Sequence, residues 1–287
     1  MSERRRPKRD AETEHLSLGG AAAAAELRKK AGPRLPQAYT NRYEIKYLVA
    51  PRDLAKVRAA LADLLEPDAH NGAGGGTGGY YNHSIYFDSP HYRYYTEKHE
   101  GQLARVKPRL RYYRPAINAA PLATFLELKG RYDRIVAKRR VELDPDIAQE
   151  ILTAANPAQC LSGSNDAVAK EFCYLSDRFN LQPCVTVLYH REAFFSDLYK
   201  SLRVTYDSGL LCSLATHSEI LSESYIHGLP GGETVLEVKY NDQIPKILLS
   251  RLNALGLQQR TFSKFAVSLE RCFDQFRSRR FRASRVM

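Results

Sequence analysis

The sequence predicts an α+β fold in which one antiparallel β-barrel, or a strongly curved sheet, carries helices packed outside. The first observation is that strand-like runs dominate the chain between residues 42 and 241, with helical segments between and after them. The second is that five of these runs alternate charged and apolar residues, so that each strand has one charged and one apolar face. Apolar outer faces need cover, and closing the sheet removes its exposed edges.

The predicted elements follow the chain in a regular order. A strand at 42–50 leads through Pro51 into a helix, in which Leu54, Val57, Leu61, Leu64 and Leu65 fall at helical spacing, and the glycine-rich residues 71–79 form a surface loop rather than a phosphate loop. Further strands are predicted at 82–89, 103–114, 122–130, 134–143, 184–195, 199–206 and 233–241. Further helices are predicted at 145–155, 164–180, 245–255 and 263–280.

Length and charge limit the organisation of the chain. With 287 residues, 44% of them hydrophobic, it can bury a sizeable core as one large β-rich domain or two smaller ones. The net charge of +11 is uneven: residues 1–40 hold 9 Lys or Arg and 5 Asp or Glu, residues 41–276 hold 29 and 27, and residues 277–287 hold 5 and none. The folded part is therefore almost neutral.

Three segments follow from this distribution. Residues 1–39 are expected to be a disordered basic arm, with a short helix allowed at 21–30; residues 40–276 form the folded domain, and residues 277–287 a basic tail. Basic arms are suited to nucleic acid or an acidic membrane surface, but solvated tails without a specific partner are the favoured interpretation. Nucleic acid is therefore not an expected partner, and the oligomeric state is left open.

Cysteine usage and hydropathy indicate a cytoplasmic protein. The five cysteines are scattered, with no CxxC pair, and are read as reduced side chains. No apolar run approaches the roughly twenty residues that a membrane helix requires, so no membrane span is expected in this chain. The alanine-rich run at 21–30 is interrupted by charge and does not resemble a signal peptide.

Charged residues at every second position indicate the chemistry of the inner face. The run RVKPRLRYYR, residues 105–114, holds five cations and no acid. The alternating positions are Arg42, Glu44 and Lys46; Arg109 and Arg111; Glu127 and Lys129; Lys138 and Arg140; and Glu237 and Lys239. If these charged faces meet inside a closed sheet, they form a site for a polyphosphate and its metal.

Nine short motifs together resemble one known family. RYEIKYLV, YFDSPHYRYY, RLRYYR, FLELKGRY, AKRRVEL, LYHREAF, LRVTYD, LEVKYN and FSKF are similar, in order, to the catalytic domain of the vacuolar transporter chaperone (VTC) family of polyphosphate polymerases, within the triphosphate tunnel metalloenzyme superfamily. The resemblance spans residues 40–275. It implies an antiparallel eight-stranded β tunnel barrel and a metal-dependent phosphotransferase that extends inorganic polyphosphate from ATP, with ATP and polyphosphate as partners.

The resemblance also assigns roles to residues. Those expected to bind phosphate and support catalysis are Lys46, Arg109, Arg111, Lys129, Arg191, Arg203 and Lys264; those expected to bind substrate are Lys138, Arg140 and Tyr189. Lys239 is added to the substrate-binding group because it shares a strand face with Glu237. A register slip would place Arg139 inside instead of its neighbours. The resemblance implies that Glu237 binds the metal ion, Mn²⁺ or Mg²⁺; Glu44 and Glu127 are further candidates because they also point inward. Tyr92, Tyr94 and Tyr95 pack either an adenine or the core, and no histidine has ligand spacing.

Alternative functions remain open at this point. The same fold supports a triphosphatase or cyclase that acts on inorganic triphosphate or nucleotides, but these relatives begin with a Glu-x-Glu-x-Lys strand, and Arg42 stands at the first glutamate. The sequence therefore favours the polymerase. A non-catalytic module that binds polyanions is the third hypothesis, although the almost neutral folded part and the lack of an aromatic RNA-binding strand disfavour it.

Overall fold

A computed structural model describes residues 42–74, 78–132, 135–215 and 225–283. The strands are β1 (Arg42–Val49), β2 (Glu66–Pro67), β3 (Tyr80–Asp88), β4 (Ala104–Arg114), β5 (Ala123–Tyr132), β6 (Ile135–Glu142), β7 (Gln182–Phe195), β8 (Arg203–Leu214), β9 (Ile226–His227) and β10 (Thr234–Asn241). The α-helices are α1 (Pro51–Leu61), α2 (Arg93–His99), α3 (Pro145–Thr153), α4 (Ala167–Phe179), α5 (Lys246–Ala254) and α6 (Lys264–Ala283). The predicted basic arm (residues 1–39), its predicted boundary with the domain at residues 39–40, and the last residues of the predicted tail (284–287) lie outside the described residues.

Eight long strands form one antiparallel sheet in the order β1-β10-β8-β7-β3-β4-β5-β6, with the short strands β2 and β9 paired to β7 and β8. The fold class predicted from the sequence, an antiparallel eight-stranded tunnel barrel of the α+β class, is confirmed. Hydrogen bonds within the described ranges do not join the two end strands, β1 and β6. A side-chain contact spans this side of the sheet, since Lys129 Nζ of β5, the neighbour of β6, lies 3.9 Å from Glu44 Oε2 of β1.

Strand register places the alternating charges on a single face. Residues opposite one another in neighbouring strands share a face, and the pairs Glu44 with Lys239 and Lys46 with Glu237 begin the series. The same face continues through Arg203, Asp207 and Arg191, then through Tyr86, Arg109, Glu127 and Arg140. We call this the inner face. The sequence alternation therefore leads to one charged interior surface across eight strands.

Apolar side chains of the opposite, outer face are covered by helices in two clusters. Leu110, Leu126 and Leu128 of β4 and β5 pack with α3 and α4, among others through Ile151 and Phe172. On the other side of the barrel, side chains of β1, β8 and β10 pack with α1 and α5; this second cluster includes Tyr47, Val204, Val238, Val57 and Leu248. Complete burial of such side chains is the main stabilising contribution to the fold, at roughly 1.5–3 kcal/mol each.

Helix α6 differs from the other helices because its first turns pack against the inner face. Phe265 and Leu269 are buried together with inward residues of β7, β8 and β10, among them Val187, Cys212 and Val235. The ring of Phe265 lies 5.1 Å from that of Tyr86 on β3. The beginning of α6 therefore fills one end of the barrel, and this makes it a wall of the interior.

The residues just before α6 cover the free edge of β1. The backbone N–H of Arg260 donates to the carbonyl of Lys46 at 2.8 Å, and Tyr47 and Gln259 form an isolated antiparallel bridge. An edge strand carries unpaired backbone groups that attract other chains. Residues 259–260 satisfy part of this edge and guide the chain into α6.

Most predicted elements are found within a few residues of their expected limits, and one strand is misplaced. The strand predicted at 199–206 is β8, which begins at Arg203 and continues to Leu214. Residues 199–202 instead form a turn, in which the N–H of Leu202 donates to the carbonyl of Tyr199 at 2.7 Å. The strand continues beyond the predicted end because Gly209, with φ of +60°, accommodates an irregularity in its pairing with β7.

Candidate functional site

Glu237, at the middle of β10, is a carboxylate surrounded by four cations. Its Oε1 lies 2.7 Å from Lys264 Nζ and 3.6 Å from Lys46 Nζ. Its Oε2 lies 3.1 Å from Lys239 Nζ and 3.3 Å from Arg191 Nη2. Burial alone would raise the pKa of Glu237, but these cations, Lys264 foremost, hold it well below its usual value. The carboxylate is therefore ionised at every physiological pH.

Asp207 on β8 extends this cluster toward β7 and α6. Arg191 donates to both of its oxygens through Nε and Nη2, each at 2.6 Å, and Lys264 Nζ lies 2.5 Å from Oδ2. Burial lowers the tendency of Lys264 to be charged, but Asp207 and Glu237 outweigh it, so its pKa is raised above the usual value. Lys264, the first residue of α6, is thus fixed in the interior as a cation.

Glu127 on β5 organises a second cluster that shares no ion-pair partner with the first. Arg109 donates through Nε at 2.9 Å and Nη2 at 2.6 Å to Oε2, and Arg111 Nε lies 3.6 Å from the same oxygen. Lys138 Nζ lies 2.6 Å from Oε1. Burial would raise the pKa of Glu127, but Arg109, Arg111 and Lys138 hold it well below its usual value. Arg109 also donates through Nη1 to the hydroxyl of Tyr86 at 2.8 Å, and this bond helps to orient the guanidinium.

Glu44 on β1 links the first cluster to Lys129 of β5, whose Nζ lies 3.9 Å from Glu44 Oε2. Its Oε1 lies 2.9 Å from Lys46 Nζ, and Lys46 also donates to the carbonyl of Phe262 at 3.1 Å. Burial would raise the pKa of Glu44, but Lys129 and Lys46 outweigh both burial and the charge of Glu237, and hold it below its usual value. Glu44 therefore extends the first cluster from β1 toward β5.

Three lysines lie side by side on the inner face of β4, β5 and β6. Lys107 is opposite Lys129, and Lys129 is opposite Lys138. Burial, reinforced by Lys129 and Lys46, lowers the pKa of Lys107 to about 7. Glu44 raises the pKa of Lys129, but burial and Lys46 lower it more strongly, to about 8. Burial likewise lowers the pKa of Lys138 to about 8, against the effect of Tyr113 and Glu127. We call Lys107, Lys129 and Lys138 the lysine row. The carboxylates near this row do not offset the burial and mutual repulsion of its ammonium groups, so all three pKa values are lowered.

The structure separates Lys138 and Arg140 from Arg139. Lys138 contacts Glu127 on the inner face, and the guanidinium of Arg140 lies 4.3 Å from the ring of Phe125. Arg139 points to the outer face, where its Nη2 donates to Glu171 of α4 at 2.7 Å. The register that places Lys138 and Arg140 inside is the one observed.

The remaining predicted residues also lie on the inner face. The ring of Tyr189 is flanked by the guanidinium of Arg191 at 5.3 Å and by Lys264 Nζ at 4.8 Å. Arg203 is opposite Lys239, and its guanidinium lies 5.4 Å from the ring of Phe195. The structure therefore brings every predicted phosphate-binding residue to one surface, while their roles remain predictions.

The three predicted metal ligands are not gathered at one point. Over the described part of the chain, no three His, Cys, Asp or Glu residues form a group able to hold a metal. Glu237 and Glu44 both contact Lys46, whereas the ion-pair partners of Glu127 are Arg109, Arg111 and Lys138. Mg²⁺ and Mn²⁺ are held by one or two carboxylates together with substrate phosphates. The oxygen donors of Glu237 and Glu44 fit such an ion.

The sequence reasoning missed Asp207 and Lys107, two of the charged residues on the inner face. Asp207 is four residues after Arg203 and continues its alternation, but the predicted strand ended at residue 206. Lys107 precedes Arg109 in the same alternation, but Pro108 separates the two and obscures the pattern. Extending the two-residue period by two steps from Arg203 and by one step back from Arg109 would have found both side chains.

Tyr92, Tyr94 and Tyr95 pack against helices rather than on the charged surface. The ring of Tyr92 lies 5.1 Å from Phe273 of α6, and the hydroxyl of Tyr95 donates to Glu270 at 3.3 Å. Tyr94 is buried in the outer cluster. Of the two interpretations left open by the sequence, core packing is the one observed.

Comparison with known proteins assigns the chain to a family. The profile of the VTC domain matches residues 41–273, and the chain therefore belongs to the VTC domain family. No curated relative matched the sequence. No helix in the described ranges has the length and hydropathy needed to cross a bilayer.

Solved structures with a similar chain path are distant in sequence. A protein from Hippeastrum, named as an adenylyl cyclase with a dominant triphosphatase activity, is 16% identical, with 79% of this chain and 94% of that chain covered and a TM-score of 0.46. A protein from Vibrio parahaemolyticus named as an adenylate cyclase is 12% identical, with 80% and 98% covered and a TM-score of 0.44. A third, from Bacillus halodurans and similarly named, is 13% identical, with 78% and 95% covered and a TM-score of 0.44.

Proposed function

We propose that this chain is an ATP-dependent polyphosphate polymerase. It transfers the γ-phosphate of ATP to the end of an inorganic polyphosphate chain and releases ADP. The observation that carries the proposal is the inner face, on which cations of β1, β4, β6, β7, β10 and α6 lie around two buried glutamates, Glu237 and Glu127. Membership of the VTC domain family supports a triphosphate or polyphosphate as the substrate.

The charge of the interior suits a polyanion. A triphosphate carries about four negative charges, and its burial requires matched donors, with Arg supplying paired N–H groups and Lys point charges. Arg109, Arg111 and Arg191 supply the first kind, and Lys46, Lys129 and Lys264 the second. In the ligand-free interior these donors are held by carboxylates, and phosphate oxygens take over part of these contacts on binding.

The reaction asks little covalent chemistry of the protein. An oxygen of the terminal phosphate of the growing chain attacks the γ-phosphorus, the bond to the oxygen bridging the β- and γ-phosphorus breaks, and that oxygen leaves with ADP. Cations placed around the transferring group stabilise its charge, and positioning supplies most of the remaining rate enhancement. Arg109 and Arg111 are assigned to this group because Glu127 and Tyr86 fix their orientation.

A divalent ion completes the proposed site. Glu237 would hold Mn²⁺ or Mg²⁺, with Glu44 as a second donor, and the ion would supply positive charge that offsets the charge of the phosphates. Glu127 remains a weaker candidate, since its contacts with Arg109 and Lys138 orient cations that face the substrate.

Five cysteines without a disulfide among them support a cytoplasmic location.

Product balance tests the proposed function. The purified chain is incubated with ATP and Mn²⁺, with and without a short polyphosphate primer, and ADP, free phosphate and long-chain polyphosphate are measured together. Formation of ADP matched by chain growth supports the polymerase. Release of free phosphate without chain growth would instead identify a triphosphatase, and binding of polyphosphate without turnover would identify a binding module.

A further inference from the structure

Lys107 is an inner-face cation that the assigned site does not use. Among the described residues, no carboxylate lies within ion-pair distance of its ammonium, and its hydrogen-bond partner is the hydroxyl of Ser263, which accepts from Nζ at 2.9 Å. The ammonium also lies 5.4 Å from the ring of Phe265. It is therefore fixed at the point where β4 meets the beginning of α6.

The groups that face Lys107 are themselves mainly cationic. Lys129 is directly opposite on β5, and Lys46 of β1, Arg105 of its own strand and Lys98 of α2 all act to disfavour its charged form. Among the described side chains of α6 and the residue before it, the contacts of Lys107 are the hydroxyl of Ser263 and the ring of Phe265. Like charges opposite one another in a sheet are destabilising. An anion placed between these ammonium groups would remove the repulsion.

We propose that Lys107 is a further substrate-binding residue, which holds a phosphate group of the polyphosphate or triphosphate between itself, Lys46 and Lys129, beside the first turn of α6. This inference rests on the proposed function for the chemical class of the ligand. Lys46 and Lys129 each have a carboxylate nearby in Glu44, whereas Lys107 has none in the described ranges. Of the three ammonium groups, that of Lys107 is therefore the one that a bound phosphate stabilises most.

Binding of an anion at this position has a consequence for protonation. The pKa of Lys107 is lowered to about 7, first by burial and then by Lys129 and Lys46. A phosphate beside the ammonium raises that pKa, so the protein takes up a proton on binding when the pH lies above about 7. The affinity of the wild-type chain for phosphate therefore falls as the pH rises, by more than it does in a variant without this ammonium.

The test measures binding of inorganic tripolyphosphate to the full chain by titration calorimetry, without nucleotide, from about pH 6.5 to about pH 9. This window spans the change in charge of Lys107. Lys107→Gln removes the ammonium, Lys107→Arg restores a cation, and Lys200→Gln removes one charge from a surface position that is 82% exposed. Urea denaturation of each variant establishes that it is folded.

At about pH 6.5 we expect Lys107→Gln to weaken binding by about tenfold or more, because a charge-assisted hydrogen bond is lost. Lys107→Arg is expected to recover most of the affinity, and Lys200→Gln to match the wild type. The loss caused by Lys107→Gln is expected to shrink toward about pH 9. A purely structural role would shift the affinity equally at every pH, and this result overturns the inference.

The outcomes also separate this inference from the proposed function. If the wild-type chain and Lys107→Gln bind tripolyphosphate equally, Lys107 is not a ligand contact, and the polymerase assay decides the proposed function independently. If the wild-type chain does not bind tripolyphosphate, both proposals fail. If binding shows the expected dependence on Lys107 but ATP does not support chain growth, the inference holds for a triphosphatase or a binding module and the polymerase is excluded.

Discussion

Lys264 Nζ and Glu237 Oε1 lie 2.7 Å apart, in a buried ion pair that joins the first residue of α6 to the middle of β10. Each partner also contacts further charges, since Lys264 reaches Asp207 and Glu237 reaches Lys46, Lys239 and Arg191. An isolated buried charge is costly, whereas a network of this kind keeps several ions in place without bulk water. The pair fixes cations on the inner face that would otherwise repel one another.

Glu237→Gln should separate binding from catalysis. Removing the carboxylate leaves four cations with less compensation, and we expect the free energy of unfolding of the ligand-free protein to fall by about 3 kcal/mol. Tripolyphosphate should still bind, because its own charge replaces that of Glu237. Turnover with ATP and Mn²⁺ should fall at least about a hundredfold if Glu237 holds the metal. Urea denaturation, calorimetry and product analysis measure the three quantities.

Glu171→Gln is the matched control for this variant. Glu171 forms its ion pair with Arg139 on the outer face, where the loss of one carboxylate should change stability by less than about 1 kcal/mol. Turnover of Glu171→Gln should equal that of the wild type. Full activity in Glu237→Gln would remove this residue from the metal site.

Arg109→Lys should reduce turnover although it keeps the charge. The guanidinium donates to Glu127 through two nitrogens and to Tyr86 through a third, and an ammonium does not reproduce this fork. We expect the rate with saturating ATP to fall about a hundredfold or more, with a smaller effect on the affinity for tripolyphosphate. A loss of affinity for tripolyphosphate with the rate at saturating ATP unchanged would show that Arg109 contributes only to ground-state binding.

Adjacent residues of β6 provide a test of register. Lys138 contacts Glu127 in the interior, whereas Arg139 contacts Glu171 on the outer face. Lys138→Ala should weaken tripolyphosphate binding by about tenfold, since one cation is lost from the lysine row. Arg139→Ala, which removes the same formal charge one residue away, should leave the affinity within about twofold of the wild type. The reverse result would mean that the strand has slipped by one residue.

The ligand-free protein should become more stable as the pH rises above neutrality. The pKa of Lys107 is lowered to about 7 in the folded state, whereas an unfolded lysine titrates near about 10.4. Between these values the unfolded chain binds more protons, so the free energy of unfolding rises with pH. Lys129 and Lys138, with pKa values lowered to about 8, act in the same direction.

Comparison of two proteins isolates this effect from other titrating groups. Urea denaturation of the wild type and of Lys107→Gln between about pH 7 and about pH 9 should give a smaller rise in stability for the variant. Parallel curves would mean that Lys107 is not held with a lowered pKa. Saturating tripolyphosphate should reduce or reverse the rise in the wild type, because the ligand favours the charged lysines.

The sequence predicted the charged interior because alternation in a strand is a local property. Arg109 and Arg111, or Glu127 and Lys129, have to share a face whatever the rest of the chain does. The local pattern left two registers open for β6, with either Lys138 and Arg140 or Arg139 facing inward. The choice depends on how β6 pairs with β5, and the sequence of β6 alone does not determine that pairing. The limits of β8 were likewise misjudged, since its path beyond Ser208 depends on Gly209 and on the partner strand β7.

The position of α6 was not predictable from its own residues. Phe265, Leu269 and Cys272 indicate an amphipathic helix, and the apolar side shows that it buries one face. The pattern does not say which side of the sheet receives that face. Burial against inner-face residues such as Val187 and Tyr189 brings Lys264 and Ser263 to the inner face. The resemblance to a family, rather than the helical pattern, had indicated a role for Lys264.

Transfer of labelled phosphate tests the central claim most directly. The chain is incubated with Mn²⁺, a polyphosphate primer of defined length and ATP labelled in its γ-phosphate, and the products are separated by length on a gel. The proposed polymerase places the label in chains longer than the primer, in amounts equal to the ADP formed, and the Arg109→Lys and Glu237→Gln variants lose this product. Label found entirely in free phosphate, with the primer unchanged in length, would contradict the account.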